Sequence, residues 1–276
     1  MDTSLKISFI GAGNMARSLI GGLLNDHYPA ENIVASDHDA QQRSQVSANL
    51  GIATYADNSE AIEGADIIVL AVKPQVMAEL CREIKPLITD RKPLIVSIAA
   101  GIRSDVLSEW LGESHAVVRT MPNTPSLVGA GATALYATDK VSEQQRQQAE
   151  SILRAVGIAL WVEDETKMDA ITAISGCGPA YFFLVMEVMQ QVGEKLGLDA
   201  DTARLLTLQT GFGATKMALE SELDCAELRR RVTSPGGVTE RAIDKLLAGN
   251  IDNLFTEALT TAEQRSIELA NLLGKS

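Results

Sequence analysis

The chain has 276 residues, of which 46% are apolar and only 4% aromatic, and it carries 36 acidic against 24 basic side chains. This length favours two domains that can each bury a core, and the composition excludes a disordered or fibrous protein. The formal net charge of −12 repels polyanions, so the sequence predicts neither a nucleic-acid partner nor an anionic membrane partner.

Signals for export, membrane insertion and metal binding are weak. The first residues, MDTSLKISFIGAG, have an acid at position 2 and a short apolar run, which does not resemble a signal peptide. We expect no apolar run to approach the roughly 20 residues that span a bilayer. Cys81, Cys177 and Cys225 are odd in number and widely spaced, without a metal-ligand pattern. The sequence therefore predicts a soluble, cytoplasmic protein without a bound metal.

Short β-rich segments alternate with helical stretches up to about residue 162. Six apolar segments are typical of strands covered on both faces: LKISFI, NIVAS, ADIIVLAV, PLIVSIAA, AVVRTM and ATALYAT. Helix-like stretches, such as Asn14 to Asn25 and Asp39 to Leu50, lie between them. This alternation predicts right-handed βαβ units and an α/β fold with a doubly wound, mainly parallel sheet.

The second half of the chain is predicted to be helical. After IALWVED the strand signal disappears, and residues 165–273 form helical patterns separated by SGCGP, GLD, LDC, SPGG and GNID. We therefore predict an α/β domain over residues 1–163 and an all-helical domain over residues 164–276.

Two helices of the second domain favour self-association. The helix after Pro179 is apolar on too many sides for a surface helix. The next helix carries small residues that permit close helix approach: Gly211, Gly213, Ala214 and Ala218. These features predict packing against another copy of the chain, and a monomeric helix bundle is the alternative.

A glycine-rich turn follows the first strand. FIGAGNMA places Gly11, Gly13 and Ala16 in a GxGxxA pattern at the opening of a helix. In this pattern Gly11 forms the tight turn, Gly13 lets the backbone approach a pyrophosphate, and Ala16 takes the packing position. Free N–H groups at the helix start are suited to phosphate. Because strand, motif and helix coincide, we predict that the first domain binds a dinucleotide.

The end of the second strand, VASDHDAQQR, bears on the choice of cofactor. Asp37 lies near the position where an acid usually accepts hydrogen bonds from an NAD ribose, whereas a 2′-phosphate prefers Ser, Arg or Lys. Ser36 and Arg43 are candidates for the phosphate, with Asp37 then pointing away as a loop residue. The sequence leaves NAD(H) and NADP(H) open.

Three later turns follow strand ends and are expected to face the same crevice. AVKPQ places residues 73–74 there, and SIAAGI places residues 99–101, whose small side chains let a ribose or nicotinamide approach. MPNTP holds Asn123 in a rigid loop between two prolines, where the nicotinamide would lie. Each turn alone is ordinary loop chemistry, but the series favours a cofactor crevice.

The second domain has no histidine for acid catalysis. His27, His38 and His115 all lie in the first domain, and we expect them at its surface. The stretch after SGCGP also lacks the lysine of a β-hydroxyacid dehydrogenase. These observations favour an imine substrate, which is basic enough to arrive protonated and needs only a hydroxyl donor.

SGCGPAY and VTSPGGVT are similar to each other. Each is predicted to be a turn that opens a helix and offers backbone N–H groups and a positive dipole end to an anion. Simple capping of the helix is the alternative for either turn.

In order and over nearly the whole chain, FIGAGNMA, AVKPQ, VSIAAGI, MPNTP, SGCGPAY and VTSPGGVT closely resemble the pyrroline-5-carboxylate reductases. The resemblance implies an N-terminal Rossmann domain and an all-α C-terminal domain that dimerises, with dimers often assembling into a decamer. It also implies reduction of 1-pyrroline-5-carboxylate to L-proline by NAD(P)H, the last step of proline biosynthesis.

The resemblance also implies the residues of the cofactor site. The pyrophosphate turn corresponds to six residues: Ile10, Gly11, Ala12, Gly13, Asn14 and Met15. The adenosine side corresponds to Ser36, His38 and Asn58. The nicotinamide side corresponds to three turns, through Ala71, Val72, Lys73, Pro74, Ala99, Ala100, Gly101 and Asn123.

The substrate residues implied by the resemblance lie mostly in VTSPGGVT. The substrate carboxylate would lie on the backbone of Gly236, Gly237 and Val238, and Thr239 matches the catalytic hydroxyl that bonds the ring nitrogen. Other residues around the substrate match Glu222 and Ser234, with Glu165 as a weaker match.

Several positions depart from the family pattern. Cys177 stands where Ser is usual and is a poorer donor, and Val238 replaces a common Thr or Ala. Arg231 stands where a polar residue often contacts the cofactor, and Asp37 agrees less well with NADPH.

Two other functions stay open: reduction of another cyclic imino acid, such as piperideine carboxylate, and nicotinamide sensing without turnover.

Overall fold

The computed structural model describes residues 2–274. The chain forms two compact units: a sheet unit, which holds residues up to Cys177 and from Ala262 onward, and a helical unit, Gly178–Thr261. The predicted domains, 1–163 and 164–276, stay a prediction; this division by packing places residues 164–177 and the segment from Ala262 within the sheet unit. Whether the chain on either side of residue 163 folds independently stays a prediction.

In the part of the sheet unit that the structure describes, there are eight strands: β1 (Ile7–Ile10), β2 (Ile33–Ser36), β3 (Ala53–Tyr55), β4 (Ile67–Leu70), β5 (Leu94–Ser97), β6 (Val117–Met121), β7 (Gly131–Ala137) and β8 (Gly157–Trp161). Their order in the sheet is β3-β2-β1-β4-β5-β6-β7-β8. Every neighbouring pair is parallel except β6 and β7, which are antiparallel. The predicted doubly wound, mainly parallel sheet is confirmed.

Helices cover both faces of this sheet: α1 (Asn14–Asn25), α2 (Ala40–Leu50), α3 (Asn58–Ile62), α4 (Met77–Ile88), α5 (Ser104–Leu111), α6 (Glu143–Arg154) and α7 (Lys167–Ile171). In β4, Ile67 and Val69 belong to the core with α1 and α6, whereas Ile68 and Leu70 belong to the core with α4 and α5. Successive side chains of a strand point to opposite faces, so a strand buried on both faces must be apolar throughout.

The short edge strand β3 is absent from the six predicted segments. Its three side chains are partly or largely exposed, so it lacks the continuous apolar run that marks the central strands.

The helical unit is built from α8 (Gly178–Lys195), α9 (Ala200–Glu220), α10 (Cys225–Arg231), α11 (Val238–Ala248) and the first part of α12 (Ile251–Leu273). The prediction of an all-helical second half is confirmed. Helices α8 and α9 approach closely, since a Cβ added to Gly211 would lie 3.0 Å from the Met186 methyl carbon. Even so, large apolar side chains of both helices are exposed, including Phe183, Leu205 and Phe212.

The SGCGP stretch differs from the predicted turn. Residues Thr172–Gly176 form a wide π-helical turn, in which the Cys177 N–H donates to the Thr172 carbonyl at 2.9 Å, and α8 begins at Gly178. Proline is tolerated in a first helical turn because its missing N–H has no partner to lose there. SGCGP therefore widens a helical run instead of ending it.

This helical run corrects one expectation. Lys167–Lys195 is 29 residues long, and an 18-residue window within it has a mean hydropathy of 1.5 with 11% of it buried. By length and composition the run can cross a membrane, although an apolar helix buried in an assembly has the same properties. The sequence expectation missed it because the apolar residues continue through the Gly and Pro positions.

The last part of α12 packs within the sheet unit. The Ser266 hydroxyl donates to Asp169 Oδ1 at 2.6 Å, and Ala270 is buried. At Gly101, where φ is +75°, an added Cβ would lie 3.3 Å from a methyl carbon of Leu273. The last turn of α12 therefore packs against the turn that follows β5.

Candidate cofactor and substrate sites

The glycine-rich turn has the geometry that a pyrophosphate needs. Gly11 has φ +99°, and an added Cβ would lie 2.7 Å from the Ala71 carbonyl oxygen, so only glycine is accommodated there. An added Cβ at Gly13 would meet no atom within 4 Å, which leaves the backbone open to a ligand. Gly13 is the N-cap of α1 and has no side chain to cap the helix, so the N–H groups that follow are available to an anion.

A cavity of about 370 Å³ lies beside this turn, at the carboxyl ends of the strands. It brings together predicted residues from four separate segments: Ile10, Gly11, Ser36, His38, Asn58 and Val72. A cavity in this position is where open parallel sheets bind their ligands. These residues suit the adenosine half of a dinucleotide.

Four lining residues of the cavity were not predicted: Val76, Glu79, Leu80 and Glu83. They begin at Val76, directly after AVKPQ, and continue onto α4. Their spacing of three and four residues puts them on one helix face. This spacing was the feature of the sequence from which their common location could have been predicted. Glu83 also accepts a hydrogen bond from the Asn58 amide nitrogen at 3.0 Å.

The nicotinamide-side residues lie at three neighbouring strand ends. Ala71, Val72, Lys73 and Pro74 follow β4, and Lys73 is the N-cap of a short 3-10 helix, Pro74–Val76. Ala99, Ala100 and Gly101 follow β5, and Asn123 follows β6. Because β4, β5 and β6 are adjacent and parallel, the three turns share one edge of the sheet.

The Asn123 side chain is already engaged within the protein. Its amide nitrogen donates to the Ser175 carbonyl at 3.0 Å, and its amide oxygen accepts from the Ala132 N–H at 2.9 Å. Asn123 therefore ties MPNTP to β7 and to the π-helical turn.

Glu165 braces the turns of the cofactor edge. Its carboxylate accepts from the Ser104 N–H at 2.7 Å, the Ser104 hydroxyl at 2.6 Å and the Arg119 guanidinium at 2.9 Å. The Arg119 side chain is only 4% exposed and that of Glu165 16%. Ser104 opens α5 after the SIAAGI turn, and Arg119 precedes MPNTP in β6, so one carboxylate links both turns.

One histidine expectation is wrong. His115 is 1% exposed, lies before β6 at the edge away from the cavity, and has no hydrogen-bond partner at Nδ1 among the described residues. Burial lowers its pKa from the usual value, and Lys92, Lys140 and Lys85 add to the effect. Because the sequence around a single His does not reveal what packs onto it, its burial could not be predicted.

In the helical unit, the SPGG turn opens α11. Gly236 has φ +72°, a left-handed conformation that favours glycine, and Gly237 is the N-cap without a side-chain cap. The next two residues, Val238 and Thr239, form the first turn of α11 and are exposed. Backbone N–H groups at this helix start are therefore presented to solvent, as the predicted carboxylate cradle requires.

One donor of this turn has an internal carboxylate partner. The Gly236 N–H donates to Glu240 Oε2 at 2.8 Å, while the Gly237 N–H donates to the Ser234 carbonyl at 3.0 Å. Sequence reasoning did not single out Glu240, although a Glu at the third position of a helix is a known capping signal. A substrate carboxylate bound to Gly236 would have to replace that of Glu240.

The three arginines before SPGG are exposed, and two of them are paired. Arg230 and Arg231 contact the Glu227 carboxylate at 2.6 and 3.0 Å. Glu222 is also exposed and lies in the segment between α9 and α10.

Within residues 2–274, no group of three or more His, Cys, Asp and Glu side chains is placed to hold a metal.

A glycine-rich turn between the first strand and helix, with a cavity at the carboxyl edge of a mainly parallel sheet, defines a Rossmann-type dinucleotide-binding protein. Family comparisons agree with this class. The model for pyrroline-5-carboxylate reductase dimerisation matches residues 165–269, and the model for NADP oxidoreductase, coenzyme F420-dependent, matches residues 6–101.

Full-length relatives give the family. The pyrroline-5-carboxylate reductase of Pseudomonas aeruginosa is 53% identical over 270 residues, 98% of either chain. That of Haemophilus influenzae is 42% identical, covering 96% of this chain and 98% of its own. The chain therefore belongs to the pyrroline-5-carboxylate reductase family.

Solved structures of the family superpose on this chain. A pyrroline-5-carboxylate reductase from Coxiella burnetii matches with a TM-score of 0.92 and 45% identity, covering 96% of this chain and 98% of its own. Plasmodium falciparum pyrroline carboxylate reductase with NADP bound matches with a TM-score of 0.86 and 30% identity at the same coverage.

Proposed function

We propose that the chain reduces the C=N bond of 1-pyrroline-5-carboxylate with NAD(P)H, giving L-proline. The observation that carries this proposal is the 53% identity to the Pseudomonas aeruginosa reductase over 98% of either chain. The open glycine-rich turn and its cavity supply the cofactor site that such a reaction needs.

The sheet unit would hold the cofactor. N–H groups from Gly13 to Met15 are suited to the pyrophosphate, and the cavity beside Ser36, His38 and Asn58 to the adenosine. The turns after β4, β5 and β6 would lie beside the nicotinamide ring. When bound, the reduced nicotinamide supplies the hydride.

The helical unit would hold the substrate. The start of α11 would bind the substrate carboxylate through its positive dipole end and the N–H groups of Gly236, Gly237 and Val238. The substrate would then replace Glu240 on Gly236 and the Ser234 carbonyl on Gly237. The Thr239 hydroxyl oxygen would accept a hydrogen bond from the protonated ring nitrogen and so orient the imine. Ser234 and Glu222 would lie near the substrate. Orientation by such hydrogen bonds suffices because a protonated imine is already electrophilic.

The chain would act as a homodimer. The matched dimerisation model covers residues 165–269, which include α8 and α9 and their exposed apolar side chains. A partner over these helices would also account for the long apolar run at Lys167–Lys195 without a membrane. Assembly of dimers into a decamer and a cytoplasmic location stay predictions.

The test is steady-state oxidation of NADPH and of NADH by purified protein with 1-pyrroline-5-carboxylate, compared with piperideine carboxylate. We expect turnover of the five-membered ring with the higher kcat/KM. A higher kcat/KM on the six-membered ring would reassign the substrate. Binding of NAD(P)H without turnover of either ring would instead indicate a nicotinamide-sensing protein.

A further inference from the structure

The cavity on the adenosine side is acidic where β2 ends. Among the described residues that line it, Asp37, Glu79 and Glu83 are acidic, and none is Lys or Arg. The 2′-position of an adenosine ribose lies near the end of the second strand in folds of this kind. The charge of this region therefore bears on whether the ribose carries a hydroxyl or a phosphate.

The Asp37 carboxylate is held in place by two backbone donors. Its Oδ2 accepts from the Ala12 N–H at 2.9 Å, and its Oδ1 accepts from the Asp39 N–H at 2.9 Å. The first of these bonds fastens the end of β2 to the glycine-rich turn. Asp37 is therefore not a loop residue that points away, which was one of the two alternatives left open by the sequence.

The hydroxyl that was a candidate for a 2′-phosphate is committed elsewhere. Ser36 is fully buried, and its hydroxyl donates to the Asn58 side-chain oxygen at 2.7 Å. The Asn58 amide nitrogen in turn donates to Glu83 at 3.0 Å. A phosphate that took either donor would have to break this buried chain of hydrogen bonds.

The nearby guanidinium groups are bound to the protein itself. Arg43 donates from Nη1 to the carbonyls of Asp37 at 2.7 Å and His38 at 3.0 Å. Arg17 donates to the Ala12 carbonyl at 2.9 Å and to the side chains of Gln42 and Gln45. Neither arginine lines the cavity, so neither presents its guanidinium to a ligand bound there.

We propose that this chain selects NADH over NADPH and that Asp37 is the residue that sets the selection. This inference rests on the proposed function. A ribose 2′-hydroxyl can donate to the fixed carboxylate, whereas a 2′-phosphate brings a charge of nearly −2 against it. Like charges in contact near a protein surface disfavour binding about tenfold or more.

The test measures the dissociation constants of NADH and NADPH by isothermal titration calorimetry on the full-length protein without substrate. We expect the Kd of NADPH to be at least about tenfold above that of NADH, because close like charges repel. Asp37→Asn keeps an oxygen for the Ala12 N–H but loses the charge, and it should bring the two constants close together. Glu60→Gln removes an exposed charge from the neighbouring α3, outside the cavity, and should leave the ratio unchanged.

The outcomes separate this inference from the proposed function. Equal Kd values, tighter NADPH, or an unchanged ratio in Asp37→Asn would overturn the selection while leaving reduction of the imine intact. Tight NADPH binding that is lost in Arg43→Gln would assign the phosphate to Arg43 and also overturn it. No binding of either cofactor would overturn both proposals, whereas selective NADH binding without turnover would overturn only the proposed reaction.

Discussion

In the sheet unit Ile7, Phe9 and Ile67 are fully buried, whereas in the helical unit Phe183, Leu205 and Phe212 keep 63% to 65% of their surface exposed. The sheet closes its own core because helices from the same chain cover both of its faces. The helical unit leaves apolar faces open on α8 and α9, and large exposed apolar patches mark interaction surfaces. The difference teaches that the sheet unit buries its central strands within a single chain, whereas the helical unit leaves apolar faces that assembly would cover.

The largest effect expected within the sheet unit comes from its buried ion pair. Glu165→Ala leaves Arg119 buried without its carboxylate, so we expect the free energy of unfolding to fall by about 3–5 kcal/mol. Chemical denaturation of the purified variant and of the unchanged protein checks this. Glu268→Ala removes an exposed ion pair with Arg265, where both side chains are about 60% exposed, and should cost less than about 1 kcal/mol. Equal losses of unfolding free energy in the two variants would show that the Glu165–Arg119 pair stabilises the fold no more than an exposed ion pair does.

The proposed catalytic hydroxyl, that of Thr239, lies in the helical unit, and its loss should spare cofactor binding. Thr239→Ala removes one oriented hydroxyl, so we expect kcat/KM for the imine to fall about 10- to 1000-fold. The Kd of the cofactor should not change, since the glycine-rich turn is in the sheet unit. Thr239→Ser keeps the hydroxyl and serves as the matched control. Full activity of Thr239→Ala would remove this residue from the mechanism.

A charge on the exposed apolar face of α9 would test whether this face forms the dimer interface. Phe212→Glu, on α9, should raise the dimer dissociation constant about 30-fold or more, the effect of losing an aromatic anchor worth about 2 kcal/mol. Analytical ultracentrifugation measures the change. Leu87→Glu makes the same kind of change at a half-exposed position of α4 in the sheet unit and should leave the mass unaltered. A dimer that survives Phe212→Glu would place the interface elsewhere.

The smallest expected effect is a dependence of the unfolding free energy on pH, caused by His115 in the sheet unit. Because the pKa of His115 is lowered in the folded state, folding favours its neutral form, which is fully present above its unfolded pKa. Stability should therefore fall as pH drops below about 6.5 toward the lowered pKa. His115→Gln should flatten this dependence, and the exposed His27→Gln should not. Unfolding free energies across this pH window provide the measurement.

The sheet and the glycine-rich turn could be predicted because their signals are local. Apolar runs of four to five residues mark strands buried on both faces, and GxGxxA needs only the strand before it and the helix after it. The edge strand β3 escaped because it is short and partly exposed. The π-helical turn at Thr172–Gly176 escaped because Gly and Pro usually signal a break, whereas here the helical run continues.

The sequence by itself determined the mainly parallel α/β half, the helical half, the dinucleotide motif and the resemblance to the reductase family, since each rests on periodicity or on short contiguous motifs. Only the tertiary structure decided that Asp37 binds the Ala12 N–H, that Glu165 joins Ser104 to Arg119, and that His115 is buried. These contacts link residues 25 to 61 positions apart or depend on what packs over a side chain. No local pattern encodes them, because they form only when separate strands and helices come together in the folded chain.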